Sequence, residues 1–185
     1  MNFYYKLLNK TFCKFKLYHL YKNVFNYLDT NRKKKILGIS QCPGKNLDNT
    51  FDSKLFCKDL DIIKKQNIKI VVSLLTDTEI KKLGFNDSIW SKEGVEYIKF
   101  SIDDFGVPTN NELNSLKKLI SNIKKNILSS NAILIHCNAG RGRSGMIAAI
   151  VLKALKEKNT VNKIRKLING AIETEEQEKF VREWS

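Results

Sequence analysis

One turn of this chain gathers the residue types needed to attack phosphorus. Cys137 is followed six residues later by Arg143, then by Ser144, and Gly140, Gly142 and Gly145 punctuate the stretch. Ahead of it, Ile133 to Ile135 reads as a short buried strand, and from about Ser144 the chain reads as an apolar helix. Without a Cβ, the glycines let the backbone curl and turn successive N–H groups into one concavity. The helix N-terminus adds unpaired N–H groups and the positive end of its dipole, so the concavity favours an anion. The same field stabilises a thiolate at its centre, and the planar fork of Arg143 suits two oxygens of a phosphate. The pattern predicts a nucleophile inside a phosphate cradle. Its donors would be the backbone N–H groups of Asn138, Ala139, Gly140, Arg141, Gly142 and Arg143, together with the Arg143 guanidinium. A lone cysteine at a strand end is more often a small buried hydrophobe. Here cysteine, arginine, hydroxyl and three glycines all fall at the offsets one chemistry needs, and the G-x-x-x-x-G-K-[ST] spacing of a nucleotide loop is absent.

A phosphomonoester also needs a proton for its leaving oxygen. Asp103 and Asp104 lie together on a loop marked by Gly106 and Pro108, and one of them should face the cradle. The elements that would position these groups alternate. Ile36 to Ile39, the β-branched run Ile68 to Leu75, the alternating Val95 to Phe100 and the Ile133 segment read as strands, with Val95 to Phe100 nearer an edge. A helix capped by Asp52 or Ser53 carries Leu55, Phe56, Leu60 and Ile63 on one face. Thr76 with Glu79, and Thr109 with Glu112, have capping-box spacing; the first opens a helix ending at Gly84, the second one carrying Leu113, Leu116, Ile120, Ile123 and Ile127. Thr160 is expected to cap a helix with Val161, Ile164 and Ile168 inward, and a last helix runs from Thr174 towards Trp184. Strands alternating with helices predict an α/β fold: a mostly parallel central sheet flanked by helices, with the cradle at a strand's carboxyl end.

The 185 residues suit one domain with a full core, and no apolar run of about 18 residues suggests a membrane span. Cys13, Cys42, Cys57 and Cys137 are scattered and only two histidines occur, which argues against a disulfide framework or a zinc site and for a reducing compartment. Charge is uneven: residues 1–35 carry +8 of the net +14. We therefore divide the chain into a basic aromatic head, 1–31, and a catalytic domain, 32–185. The head reads as a helix packing Phe12, Phe15, Leu20 and Val24, as an arm for an anionic membrane surface, or as an organelle-targeting segment. The expected location is cytoplasmic, with organelle targeting or membrane association through the head as alternatives.

His136-Cys137-Asn138-Ala139-Gly140-Arg141-Gly142-Arg143-Ser144-Gly145 resembles the H-C-x-x-G-x-x-R-[ST] signature of the cysteine-dependent protein tyrosine and dual-specificity phosphatases. The resemblance runs from about Ile36 to Trp184. Leu37-Gly38-Ile39-Ser40-Gln41-Cys42-Pro43-Gly44 is similar to the opening segment of the cyclin-dependent-kinase-associated phosphatase subgroup. The resemblance implies the tyrosine-phosphatase fold and a two-step reaction through a cysteinyl-phosphate, with no metal or other cofactor. It selects Asp104, in Ser101-Ile102-Asp103-Asp104, as general acid and then base. It makes Cys137 the nucleophile, Arg143 and the cradle N–H groups the phosphate ligands, Ser144 a hydrogen-bond partner of the thiolate, and His136 a support from behind. The family's Q-T-x-x-Q segment appears as Glu173-Thr174-Glu175-Glu176-Gln177, so Gln177 either holds the attacking water or completes a capping box with Thr174.

The substrate that follows is phosphotyrosine in a protein, with phosphoserine and phosphothreonine as extensions. A phosphoinositide or other phospholipid is the alternative, because Arg141 adds a second cation to the cradle and the head could dock on an anionic surface. An RNA 5′-phosphatase comes next; the basic excess sits mostly in the head and no aromatic-basic groove can be identified, which disfavours a nucleic-acid partner. A non-catalytic phosphate-binding adaptor comes last. A monomer is expected.

Overall fold

The structure, a computed structural model, describes residues 25–27 and 35–184. Its sheet has the order β1-β2-β5-β3-β4, formed by β1 (Phe25–Tyr27), β2 (Lys35–Gln41), β3 (Ile68–Ser73), β4 (Glu96–Lys99) and β5 (Ala132–Cys137). β2, β5, β3 and β4 run parallel, and β1 is an antiparallel strand on the β2 edge. The helices are α1 (Ser53–Lys65), α2 (Asp77–Leu83), α3 (Ile89–Lys92), α4 (Leu113–Leu128), α5 (Gly142–Ala154), α6 (Thr160–Leu167) and α7 (Glu175–Glu183). This is the α/β architecture expected from the alternating pattern.

The pleat sends alternate side chains to opposite faces. Leu37, Ile39, Ile70, Val72, Ile133 and Ile135 enter one core with the inner faces of α4, α5, α6 and α7. Val71 and Leu134 enter a second core with Phe56, Leu60 and Ile63 of α1, Leu83 of α2 and Trp90 of α3. The registers Leu37 to Ile133 and Val72 to Ile135 keep both sets in place; a slip by one residue would exchange them. β5 is buried at every position, and so is α5 from Gly142 to Leu152. An apolar helix without a polar face must be enclosed, and here the sheet, α4, α6 and α7 enclose it.

Local differences from the sequence reading have local causes. α5 starts at Gly142 rather than about Ser144, because the turn is already helical where Gly145 N–H reaches Arg141 O at 3.0 Å. α6 has Asn159 as its N-cap, at φ 55°, and Thr160 as its first helical residue, with no side-chain cap; asparagine tolerates that left-handed backbone where threonine does not. Of the head, only Phe25–Tyr27 falls within the described residues, as the strand beside β2. The readings of the rest of the head as a helix, a membrane arm or a targeting segment lie outside them. No helix among the described residues is long and apolar enough to cross a membrane.

Candidate active site

Cys137 ends β5, and its buried Sγ lies against the turn that leads into α5. Gly140 N–H donates to Sγ at 3.2 Å, and Ser144 Oγ lies 3.4 Å from it. Gly140 has φ 75°, and a Cβ there would stand 2.4 Å from Gln41 N and from Ser40 C. Only glycine satisfies both the left-handed backbone and the close approach to β2. The turn is also tied from the side: Cys42 N–H donates to Asn138 O at 3.3 Å, and Lys45 Nζ donates to Asn138 Oδ1 at 2.8 Å.

Arg143 is among the largest fully buried side chains described, at 1% exposure. Its fork is held rigidly. Nη1 and Nη2 donate to Glu79 Oε2 and Oε1 at 2.8 and 2.7 Å, and Nη1 also donates to Ile102 O at 2.9 Å. Such a bidentate pair fixes the plane of a guanidinium as well as its position. Burial alone would raise the Glu79 pKa, but hydrogen bonds from Arg143 and from Thr76 outweigh it and hold the carboxylate below its ordinary value. Burial likewise works against the Arg143 charge, and Glu79 more than compensates, so its pKa is raised. Glu79 also completes the capping box of α2, accepting from Thr76 N–H at 3.0 Å. By its sequence spacing Glu79 is a cap only. It lies 64 residues from Arg143, and the cap alone accounts for it, so no local signal marks the second role.

The acid loop closes over the other side of Arg143. Asp104 Oδ1 is 2.8 Å from Arg143 Nη2, with the carboxylate about half exposed. Asp103 is exposed, and its backbone carbonyl accepts from Gly106 N–H at 2.9 Å. Between them and the glycine, Phe105 sits at φ 60° with its ring 57% exposed. That backbone is strained for an aromatic residue, and two contacts from α7 and its N-cap hold it: Thr174 Oγ1 donates to Phe105 O at 3.3 Å, and Gln177 Nε2 donates to Gly106 O at 3.2 Å. Gln177 is fully buried, and its Oε1 accepts from Glu173 N–H at 3.0 Å. Gln177 N–H caps on Thr174 Oγ1 at 3.1 Å, but the glutamine side chain does not return to Thr174. Only half of the anticipated capping box forms, because the amide oxygen that would accept from Thr174 N–H accepts from Glu173 N–H instead.

His136 is completely buried, and neither ring nitrogen has a hydrogen-bond partner among the described residues. Burial pushes its pKa from the ordinary 6.5 down to about 4, so the ring is neutral near pH 7. Its carbonyl accepts from Leu74 N–H at 2.9 Å. Arg141, one residue before α5, is half exposed, and its Nε lies 3.6 Å from Glu173 Oε1. The structure thus brings Cys137, Ser144, Arg143, Asp104, Arg141 and Gln177 around one turn, with His136 behind it. It adds Glu79, Phe105 and Lys45, for which the sequence carries no separate signal at the site, and Glu173, which by sequence reads only as a departure from the family pattern. A thiol beneath fixed N–H donors, with a locked guanidinium and a carboxyl at the opening, can transfer a phosphoryl group by covalent catalysis.

Comparison with known proteins places this chemistry in a lineage. The family described as "Polymorphic toxin system, DSP-PTPase phosphatase" matches residues 48–156, more than half of the chain, and the chain belongs to it. It is a cysteine-based phosphatase of the tyrosine and dual-specificity type. Kinase associated phosphatase, in a crystal structure with serine in place of the catalytic cysteine, superposes with a TM-score of 0.72 at 23% identity, over 82% of this chain and 86% of that one. The likeness covers the fold. An uncharacterized protein of Methanocaldococcus jannaschii is 28% identical over 108 residues, 53% of this chain and 71% of that protein. Phosphatidylglycerophosphatase and protein-tyrosine phosphatase 1 of Homo sapiens is 29% identical over 97 residues, 51% of this chain and 47% of its own length. The chain therefore spans about half of that human relative.

Proposed function

We propose that this chain hydrolyses phosphotyrosine in proteins, with Cys137 as nucleophile and Asp104 as acid and base. The observation that carries the reading is the pairing of a Cys137 Sγ that accepts from Gly140 N–H at 3.2 Å with an Arg143 fork locked by Glu79. In the first step the thiolate attacks phosphorus in line, an S–P bond forms, the P–O bond to tyrosine breaks, and Asp104 delivers a proton to the departing phenoxide. In the second, water attacks the cysteinyl-phosphate, Asp104 takes its proton, the S–P bond breaks, and inorganic phosphate leaves. Ser144 Oγ, 3.4 Å from Sγ, donates to the departing thiolate.

The transition state is loose, so most of the acceleration comes from positioning and from fixed donors around three equatorial oxygens. Glu79 keeps that fork oriented before substrate arrives. In the free enzyme Arg143 also holds Asp104; a phosphate entering the cradle competes for that N–H and releases the carboxyl towards the leaving oxygen. The exposed Phe105 ring beside Asp104 gives an apolar wall for a substrate phenyl ring. Gln177 is committed to Gly106 and Glu173, which supports a role in holding the acid loop rather than the water.

A second reading, a phospholipid phosphatase, is favoured by the half-exposed Arg141 and by the double name of the human relative. A chelator-treated preparation assayed on a phosphotyrosyl peptide, a phosphoseryl peptide and phosphatidylglycerophosphate decides between them. The proposal expects the tyrosyl peptide to give the highest kcat/KM. A preference for the lipid overturns it.

A further inference from the structure

Arg141 and Arg143 flank Gly142, yet only Arg143 has both ends of its fork held by a partly buried carboxylate, Glu79. By sequence, Arg141 is a second cradle cation suited to phospholipids. In the structure that charge is matched: Glu173 Oε1 lies 3.6 Å from Arg141 Nε. The other oxygen, Oε2, lies so close to the first residue of α5 that a Cβ on Gly142 would be 2.4 Å from it. A carboxylate therefore stands at the N-terminus of the cradle helix, on the rim. It takes up part of the positive field there.

The backbone that delivers it is strained. Ile172, β-branched and 1% exposed, has φ 59°, a left-handed conformation that β-branched residues rarely adopt. Several bonds keep it so. Ile172 N–H donates to Arg141 O at 3.4 Å, Arg165 donates to Ala171 O and Ile172 O at 3.1 and 3.0 Å, and Gln177 Oε1 accepts Glu173 N–H. A conformation so held fixes where the Glu173 side chain starts.

We infer that Glu173 is a charge gate that selects substrates bearing a single phosphate, phosphotyrosyl side chains over lipid headgroups with further phosphates. The inference rests on the reading that the Cys137 cradle binds the scissile phosphate. That phosphate meets Arg143 and the N–H groups below the rim. Any additional phosphate lies at the rim, where Glu173 repels it and withholds Arg141 from it.

The test compares kcat/KM for a phosphotyrosyl peptide with that for a soluble short-chain phosphatidylinositol bisphosphate, in wild type, Glu173→Gln, Arg141→Gln and the double variant. Glu173→Gln is expected to raise the lipid-to-peptide ratio about tenfold at low salt, the size of one unit charge at a partly solvated site. The gain should appear in KM, vanish near 1 M salt, where screening acts within about 3 Å, and be smaller when Arg141 is also replaced, since only the direct repulsion is then relieved. A ratio that stays unchanged, or a gain that survives high salt, overturns the gate. A wild type that prefers the bisphosphate overturns the substrate reading alone, since the gate is still judged by the change in ratio.

Discussion

The floor and the rim of the cradle are built from the same residue types but on opposite terms. On the floor, Arg143 is 1% exposed and held by two carboxylates and a carbonyl, and Cys137 lies under a glycine that no other residue could replace. On the rim, Arg141 and Asp104 are each about half exposed, and Phe105 presents its ring to solvent. Hydrogen bonds in a dry floor are strong and geometrically strict, whereas rim charges are screened and adjustable. The floor therefore suits chemistry common to every phosphomonoester, and the rim suits discrimination between them.

Substitutions on the two sides should separate along that line. The largest loss belongs to the floor: Cys137→Ser should lower steady-state turnover by about 10⁴-fold or more while substrate binding persists, because a hydroxyl is a far weaker nucleophile and leaving group at phosphorus than sulfur. Activity within tenfold of wild type would remove Cys137 from its role. Next comes Asp104→Asn, expected to slow a phosphotyrosyl peptide by about 10²–10⁴-fold, yet to slow an activated aryl phosphate far less, since that leaving group departs unprotonated. Asp103→Asn should do neither; the opposite outcome would mean that the acid is the neighbouring residue.

The third prediction concerns stability. His136 is neutral in the fold, with a pKa of about 4 against 6.5 when unfolded. The unfolded chain therefore binds the extra proton first, so stability is full above pH 6.5 and falls as pH drops towards 4. Near pH 5 the loss should reach about 2 kcal/mol, read by urea unfolding, and His136→Gln should flatten that slope. The smallest effect is expected from Glu79→Gln, which keeps the shape of the cap but frees the fork: kcat should fall about tenfold, the cost of a loosened orientation. An unchanged kcat would show that Arg143 needs no carboxylate to hold it.

Much of this architecture is legible in the amino-acid sequence. The strands follow from β-branched runs, the capping boxes of Thr76 and Thr109 from their acid three residues on, and the cradle from glycines, cysteine and arginine in one turn. What escapes is long-range or conformational. Glu79 meets Arg143 across 64 residues, and nothing in its own neighbourhood demands a second partner. Phe105 and Ile172 adopt left-handed backbones against their own preference, which only tertiary contacts enforce. Glu173 reads as a departure from a family pattern and not as a charge at the rim. The three-residue β1 carries too little alternation to announce a strand.

The enclosure of α5 has a consequence for motion. Its first turn forms one wall of the cradle, and the helix is buried through Leu152, so those amides have no route to solvent short of the whole domain opening. Amide hydrogens at Met146 to Leu152 should exchange with deuterium at the rate of global unfolding. Those of Asp103 to Gly106, on an exposed loop pinned by a few bonds, should exchange through small local openings many times faster. On the proposed mechanism, proton delivery would then falter on warming before anion binding does, so near the melting point turnover of a phosphotyrosyl peptide would fall while phosphate was still retained.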